Sequence, residues 1–319
     1  MQDPLVSAAV ARSVAYLGSA EASASLARDP YWPKWDSPWW HVLALDEASE
    51  IGAVPRSAAE ALLTATSRHY VPFFPTRESE LPAGKDWYRH VMCHCGLGSL
   101  LRVLLACGLD VEARLPWSKG WFVRYQLPDG GFNCDEKAYT RPVPKSSLVS
   151  TLPPLEYLLA LGRQRPLAAE EIAVLDRGAA YLLRHRLVCA DGSARVLQPG
   201  WLEPALPRFY EYDALRGLAF VVRWAEQLRR PLATKDLALA LAALGPRFSA
   251  EAHPASRRWH QEQQTRVEAP QGGDAWGPVG SFALLEALNG SEATGRILGD
   301  QLREVRRGLD RLRDDGLLR

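Results

Sequence analysis

Helical periodicity is the feature of this sequence that most restricts its fold. Apolar residues recur at three- and four-residue steps, and no stretch alternates with a period of two for long enough to predict a sheet. Prolines stand at the junctions, where a proline begins or ends a helix. Helices are predicted over Trp39–Ile51, Arg56–Tyr70, Tyr88–Cys107, Trp117–Gln126, Ser147–Leu161, Glu170–Arg186, Tyr210–Arg229, Thr234–Leu244, Val279–Leu288 and Glu292–Leu312.

The order of these segments indicates one all-α domain. Helices joined by short, aromatic-rich turns are typical of stacked helical hairpins. No long linker or low-complexity tract divides the chain, so residues 1–319 are predicted to form a single domain. The longest polar stretch, Ser249–Gly273, is interpreted as a surface excursion.

The charge balance of the chain excludes some classes of partner. With 38 basic and 37 acidic residues, the net charge is +1, which favours neither nucleic acid nor an anionic membrane. No apolar run reaches the roughly 18 residues of a membrane span, and no signal peptide is recognisable. Five cysteines without the spacing of a disulfide framework favour the cytoplasm. We expect a small-molecule substrate, with a partner subunit or a homodimer left open.

A short motif repeats along the chain. The best copy is KGWFVRYQLPDGGF, from Lys119 to Phe132, and weaker copies begin at Arg177, Arg216 and Arg307. In each copy a basic residue and a glycine open a helix, an aromatic residue follows, and a Gln or Arg stands at the helix end. The glutamine of the best copy, Gln126, is expected to hydrogen-bond the open carbonyls at its helix end.

The segment KGWFVRYQLPDGGF resembles the Gln–Trp repeat of squalene-hopene cyclases and of the related protein prenyltransferase β subunits. This resemblance implies an α/α toroid, in which an outer ring of helices surrounds an inner ring and a central cavity. The stretches WDSPWWHVLALDEASEIG, MCHCGLG, PDGGFNCDE and PRFYEYDALRGL are similar to uncharacterised bacterial relatives of these toroids. We therefore predict an all-α toroid.

The chain lacks the catalytic motifs of that superfamily. It has no Asp-x-Asp-Asp acid and no DDxxD motif, and its adjacent aspartates, Asp314 and Asp315, fall in a charged C-terminal segment. Cys134 precedes Asp135, whereas the prenyltransferase zinc site needs an Asp-x-Cys pair. Neither chemistry transfers residue by residue, and we expect no metal and no cofactor.

Three carboxylates, Asp46, Glu47 and Glu50, form the strongest catalytic candidate. On one helix, Glu50 would share a face with both of the others. In a cavity such crowding raises a carboxyl pKa and produces a proton acceptor or donor near neutrality. A solvated acidic face is the alternative. Asp36 and His41, in the tryptophan-rich segment that leads into this helix, are predicted to bind substrate.

Two histidines four residues apart, His90 and His94, are predicted to share a helical face and to serve in catalysis. Such a pair can ligate a metal, but no third ligand is evident, because Cys93 and Cys95 are expected to point to different sides of the helix. Histidines that line a cavity through hydrogen bonds, or that are satisfied within the core, are the other interpretations.

The turn DGGFNCDE supplies two candidate substrate-binding residues, Asn133 and Cys134. Both are expected to face the mouth of the cavity. Cys134 would act as a nucleophile only beside a base, such as His94, or in a positive environment. A packed thiol in a glycine turn is the alternative.

The segment RFYEYDALR begins another helix that is predicted to border the cavity. Its candidate substrate-binding residues are Arg208, Tyr210, Tyr212, Asp213 and Arg216. Arginines and tyrosine hydroxyls beside a helix N-terminus can clamp a carboxylate, phosphate or sulfate. An Asp213–Arg216 ion pair that braces the fold is the alternative.

Together these residues favour an enzyme of specialised metabolism, such as antibiotic biosynthesis. It would close a ring or eliminate a leaving group on a small anionic substrate by acid–base chemistry, as when an aziridine forms by expulsion of sulfate. A terpenoid cyclase or prenyl-binding transferase is one alternative, but a hydrocarbon pocket would not desolvate so many ionisable groups. A non-catalytic interaction subunit is the other.

Overall fold

The computed structural model describes residues 4–248, 264–268, 274–289 and 292–319. Its α-helices are α1 Pro4–Leu17, α2 Ala20–Arg28, α3 Pro38–Glu47, α4 Arg56–His69, α5 Trp87–His90, α6 His94–Ala106, α7 Val111–Arg114, α8 Trp121–Tyr125, α9 Lys137–Thr140, α10 Leu148–Leu161, α11 Ala169–Arg184, α12 Ala214–Leu228, α13 Thr234–Phe248, α14 Ala283–Leu288 and α15 Glu292–Asp314. The prediction of a predominantly helical chain is confirmed.

Two short strands, β1 (Gln264–Glu268) and β2 (Asp274–Pro278), form an antiparallel pair that the sequence analysis did not predict. Each strand has only five residues. The alternation of side chains is therefore too brief to distinguish a strand by its period. The rest of the predicted surface excursion, residues 249–263 and 269–273, lies outside the described residues.

Helix α3 ends earlier than predicted. After Glu47 the chain reverses through Ser49, whose φ is 61°. The N–H of Glu50 donates to the carbonyl of Leu45 at 2.7 Å, and the N–H of Ser49 donates to that of Asp46 at 2.9 Å. This pair of bonds is the Schellman arrangement that closes a helix C-terminus. The expectation that Glu50 shares a helix face with Asp46 and Glu47 is therefore wrong.

The helix predicted over residues 88–107 is two helices. Helix α5 ends at His90, and α6 begins at His94. Between them Cys93 is extended, with φ −77° and ψ 157°, and its sulfur accepts the N–H of Gly96 as a cap of α6. His90 and His94 consequently lie on different helices. Cys93 stands outside α6, so the expected divergence of its thiol from that of Cys95 is wrong as well.

Five helices pack in sequence: α3 against α6, α6 against α10, α10 against α12, and α12 against α15. Helix α11 lies against α8, α10, α12 and α13, and α1 lies against α3 and α14. The α6–α10 contact is especially close. A Cβ at Gly98 would stand 2.5 Å from the backbone of Pro153 and Pro154, so only glycine permits this approach.

Gln126, the glutamine of the best repeat copy, connects two helices. Its Nε2 donates to the carbonyl of Gly130 at 2.7 Å and to that of Val174 in α11 at 2.9 Å. Its Oε1 accepts from Arg177 at 2.8 Å. Neither carbonyl belongs to α8, so the expectation that Gln126 closes the end of its own helix is wrong, and the side chain instead holds the loop after α8 against α11.

Among the described helices, none is both long and apolar enough to cross a membrane.

Candidate functional site

Two cavities lie toward opposite ends of α6. We call the first the charged cavity, of about 450 Å3, which α3, α6, α10, α12 and α15 surround. Its ionisable lining residues are Asp46, Glu47, Arg102, Glu156, Arg163, Arg208, Arg216 and Arg223. We call the second the thiol pocket, of about 810 Å3. Its lining includes Tyr31, Trp32, Phe74, Met92, Cys93 and Cys134.

Helical spacing explains how α12 and α6 present side chains to the charged cavity. On α12, Arg216, Ala219, Phe220 and Arg223 line it, and residues three, four and seven apart share one face of a helix. On α6, Arg102 lines it together with residues 105 and 106. Each helix therefore turns one face, which mixes arginines with apolar side chains, toward the cavity while its other faces pack in the core.

Ion pairs between helices hold much of the charge in this cavity. Arg102 of α6 donates to both carboxylate oxygens of Asp46 on α3. Arg216 of α12 donates to the two oxygens of Glu156 on α10 at 2.9 and 2.6 Å. Bidentate pairs of this kind fix both side chains in place. They also join neighbouring helices around the cavity.

Of the three carboxyl groups that line the cavity, that of Glu47 has no salt bridge to a described residue. Its Oε1 accepts the backbone N–H of Phe209 at 2.8 Å. Burial raises the pKa of the Glu47 carboxyl, and the charges of Arg208 and Arg216 oppose that rise only in part. A carboxyl in this state can accept or donate a proton closer to neutrality than an exposed one.

The guanidinium groups of Arg163 and Arg223 make no hydrogen bond and no ion pair within the described part of the chain. Both residues are exposed to solvent, and the partial loss of hydration in the cavity lowers the pKa of Arg223 although Glu156 raises it. An arginine stays protonated nonetheless. The described lining carries five guanidinium groups against three carboxyl groups, so the charge left over is positive. The cavity therefore suits an anionic ligand.

Arg208 and Arg216 line the charged cavity, but both guanidinium groups are engaged within the protein. Arg208 donates to Asp213 at 2.6 Å and to Gln301 at 2.8 Å. Arg216 donates to Glu156 and to the carbonyls of Phe209 and Glu211. Neither is free to act as the anion clamp that the sequence predicted.

Asp213 has a structural role. It caps α12 by accepting the N–H of Arg216 at 2.8 Å, and its other oxygen accepts from Arg208 and from the N–H of Ala205. The alternative interpretation, an Asp213–Arg216 side-chain ion pair, is therefore wrong as well, because Asp213 pairs with Arg208 and Arg216 pairs with Glu156.

The two tyrosines of this segment face away from the charged cavity. The hydroxyl of Tyr212 donates to the carbonyl of Leu187 at 2.6 Å, inside the core. The hydroxyl of Tyr210 accepts from Lys34 at 3.2 Å. Neither residue lines the cavity. Their predicted role as hydroxyl donors to an anion there has no geometric support.

Three other predicted site residues, Asp36, His41 and Glu50, line neither cavity. The ring of His41 stacks between those of Tyr16 and Phe282, at 4.2 and 3.8 Å, and burial lowers its pKa to about 3. It is a neutral core histidine. Burial raises the pKa of Asp36.

The two predicted catalytic histidines also lie outside both cavities. His90 accepts the N–H of Asp86 at 2.9 Å and stacks on His69. His94 is buried and accepts from the indole N–H of Trp121 at 2.9 Å, while its other nitrogen meets the Tyr139 hydroxyl at 2.8 Å. Burial lowers the pKa of His94 to about 4, so the ring is neutral.

The thiol pocket ends at three cysteines. The sulfur of Cys95 lies 3.4 Å from that of Cys93 and 3.3 Å from that of Cys134. Contacts with the other two thiols lower the pKa of Cys134 and raise that of Cys95. Asn133 does not join this group, because its amide donates to the carbonyl of Lys145 at 2.7 Å and its side chain lines neither cavity.

Four residues of the charged cavity were not predicted from the sequence: Arg102, Glu156, Arg163 and Arg223. A signal for two of them exists. Arg102 is the one Asp, Glu, Lys or Arg in HCGLGSLLRVLLA, and Glu156 is the one in LVSTLPPLEYLLAL. A lone charge in an otherwise apolar helix is costly unless it meets a partner or a polar cavity.

No protein family, curated protein or solved structure matches this chain.

Proposed function

We propose that this protein is an enzyme that binds a small anionic substrate in the charged cavity and catalyses ring closure or elimination there by acid–base chemistry. One observation carries the proposal. A partly open cavity of about 450 Å3 is lined by five arginines and three carboxyl groups, and the exposed guanidinium groups of two of those arginines have no partner among the described residues. That volume is in the range of small-molecule sites.

The packing order of the helices supports a toroid as the frame of this site. Helices α3, α6, α10, α12 and α15 follow one another around the cavity, and α11 lies behind α10 and α12. We propose that the former set is the inner ring and that α11 belongs to the outer ring. In such a frame the inward stripes of successive helices converge on one cavity.

Arg163 and Arg223 are the proposed substrate-binding residues. Their guanidinium groups would hold the carboxylate, phosphate or sulfate of the substrate, in contacts stronger than those of neutral donors. The Asp46–Arg102 and Glu156–Arg216 pairs would position the neighbouring helices. Charged donors that are fixed before the reaction stabilise developing negative charge most effectively.

Glu47 is the proposed general base. A nucleophilic N–H or O–H of the substrate would transfer its proton to the Glu47 carboxylate as the heteroatom attacks the carbon that bears the leaving group. The bond to the leaving group breaks, and its electron pair departs with the anion toward Arg163 and Arg223. In an elimination, Glu47 would take a proton from carbon instead.

Ligand binding tests this proposal directly. Thermal shift and calorimetry would compare sulfate, phosphate and small dicarboxylates with farnesol, a neutral isoprenoid. We expect the anions to raise the melting temperature and to bind with affinity that falls at high salt. Arg223→Gln should weaken anion binding roughly 10-fold or more, because it removes a charged hydrogen bond.

Arg56→Gln is the matched control, because Arg56 lies on the surface and pairs with Glu60. It should leave anion binding unchanged. Tight farnesol binding together with indifference to all the anions would overturn the proposal in favour of a terpenoid enzyme. Once a substrate is found, Glu47→Gln should lower its turnover roughly 100-fold or more; unchanged turnover would exclude Glu47 as the base.

A further inference from the structure

The three cysteines at the end of the thiol pocket come from two separate parts of the chain. Cys93 and Cys95 stand at the N-terminus of α6, and Cys134 follows in a turn 39 residues after Cys95. Their sulfurs all lie within 4.8 Å of one another. Three thiolates around one Zn²⁺, each at about 2.3 Å, would stand about 3.8 Å apart. Shifts of a few tenths of an ångström at the closest contacts would give that spacing.

Backbone groups are arranged to stabilise negative charge on two of these sulfurs, those of Cys93 and Cys134. The N–H of Gly96 points at Cys93 Sγ at 3.3 Å, and the N–H of Cys95 points at Cys134 Sγ at 3.5 Å. The N-terminus of α6, a helix of 13 residues, adds its positive end. Donors of this kind orient thiolate ligands and adjust the properties of a bound metal.

The neighbourhood also balances the charge of a bound metal. Zn²⁺ with three thiolates carries a net charge of −1. The ammonium group of Lys34 lies 5.7 Å from the ring centres of Trp32 and Trp35; burial lowers its pKa, and negative charge on Cys93 and Cys95 opposes that change. Cu⁺ with the same three thiolates would carry a net charge of −2, of which Lys34 would compensate only one unit. The charge count therefore favours Zn²⁺ over Cu⁺.

We infer that Cys93, Cys95 and Cys134 form a zinc site whose fourth coordination position opens into the thiol pocket. Cys93 and Cys134 line that pocket, so a ligand inside it can reach the metal. Zinc sites with three protein ligands and one open position are those that bind water or substrate. This inference replaces the expectation that the chain binds no metal. That expectation placed Cys93 and Cys95 on different sides of one helix, whereas Cys93 caps α6 and turns its sulfur toward that of Cys95.

Metal titration tests the inference. Reduced, metal-stripped protein would be titrated with Zn²⁺ in competition with a chromophoric chelator, and with Co²⁺ to detect thiolate-to-metal charge transfer. We expect one equivalent per chain. Cys93→Ser, Cys95→Ser and Cys134→Ser should each weaken Zn²⁺ binding roughly 100-fold or more, since even the loss of an outer partner costs 10–100-fold.

Two variants keep the test independent of folding. Cys93→Ser retains a good N-cap for α6, so it removes the ligand and not the helix. Cys107→Ser alters a partly buried cysteine that is outside the cluster and should bind Zn²⁺ like wild type. Equal loss in Cys107→Ser and Cys134→Ser would overturn the inference.

Two further results bear on it. Imidazole should change the visible spectrum of the Co²⁺ protein, because the fourth position is open. The opposite result has two parts: the wild-type chain binds Zn²⁺ and Co²⁺ no more tightly than Cys134→Ser does, and it forms a Cys95–Cys134 disulfide on mild oxidation. That result would indicate a redox pair of cysteines and would contradict a zinc site.

Discussion

The charged cavity and the thiol pocket share helix α6 but are built in opposite ways. In the charged cavity, ionised side chains from different helices meet in pairs, as Arg102 meets Asp46 and Arg216 meets Glu156. In the thiol pocket, three cysteine sulfurs lie beside aromatic rings, and the charged residues of its described lining, such as Lys85 and Glu136, form no comparable set of paired charges between long helices. Cys95 and Arg102 are seven residues apart on α6, about 10 Å along its axis. One helix thus separates two chemical environments.

This contrast predicts how strongly a substitution in each pocket changes the free energy of unfolding. Removing one partner of a buried ion pair leaves an uncompensated charge, which is strongly destabilising. Removing one thiol from the cysteine cluster breaks no buried ion pair. The charged cavity should therefore be coupled to global stability, whereas the thiol pocket should be coupled to it weakly.

The largest expected effect comes from Glu156→Gln. Arg216 would keep its charge with a side chain only 7% exposed, so we expect a loss of about 3 kcal/mol in the free energy of unfolding. Urea denaturation measures this. Glu60→Gln, which breaks the exposed Arg56–Glu60 pair, should cost less than about 1 kcal/mol. Equal losses in the two variants would contradict the contrast between cavity and surface.

A second effect should reach both pockets, because they share α6. In Gly98→Ala the new methyl group would press on the backbone of Pro153 and Pro154, which cannot move as a flexible side chain can. We expect a loss of about 1–3 kcal/mol. Chemical denaturation and Zn²⁺ affinity would be measured together. Full stability would show that α6 and α10 can separate without cost.

Glu47→Gln should produce a smaller effect of opposite sign. Because burial raises the native-state pKa of Glu47, its ionised form destabilises the fold. That penalty is absent below the ordinary pKa of 4.5, grows as the pH rises toward the native-state pKa, and stays constant above it. The variant should therefore be more stable than wild type at pH 8 and equal to it near pH 4.

Unfolding curves at both pH values measure the Glu47→Gln effect. A variant that is less stable than wild type at pH 8 would mean that attraction to Arg208 and Arg216 outweighs burial. Glu47 would then be an ion-pair partner and a weaker candidate for the base.

The smallest effect is expected for Cys93→Ser in zinc-free, reduced protein. Serine can accept the Gly96 N–H that the cysteine sulfur accepts now, so the cap of α6 survives. The free energy of unfolding should change by less than about 1 kcal/mol. A loss comparable to that of Glu156→Gln would show that the thiol pocket also holds the fold together.

Local signals account for the parts of the structure that could be predicted. Helices α4, α10 and α11 match their predicted segments within two residues at each end, because caps and prolines act over a few neighbouring residues. The breaks after Glu47 and between His90 and His94 were missed. The apolar periodicity of the sequence continues through both breaks and therefore does not reveal them. They are visible only in the backbone, as the positive φ of Ser49 and the cap at Cys93.

The sequence alone determined that the chain is helical, that its inward stripes carry charge, and that Asp46 and Glu47 lie beside one another. Only the tertiary structure decided which charges are paired. Arg216 meets Glu156, which is 60 residues away, and this leaves Arg163 and Arg223 without partners in the described chain. It also decided that Cys134 joins Cys93 and Cys95. Such meetings depend on how whole helices pack, and helical spacing carries no information about contacts between distant segments.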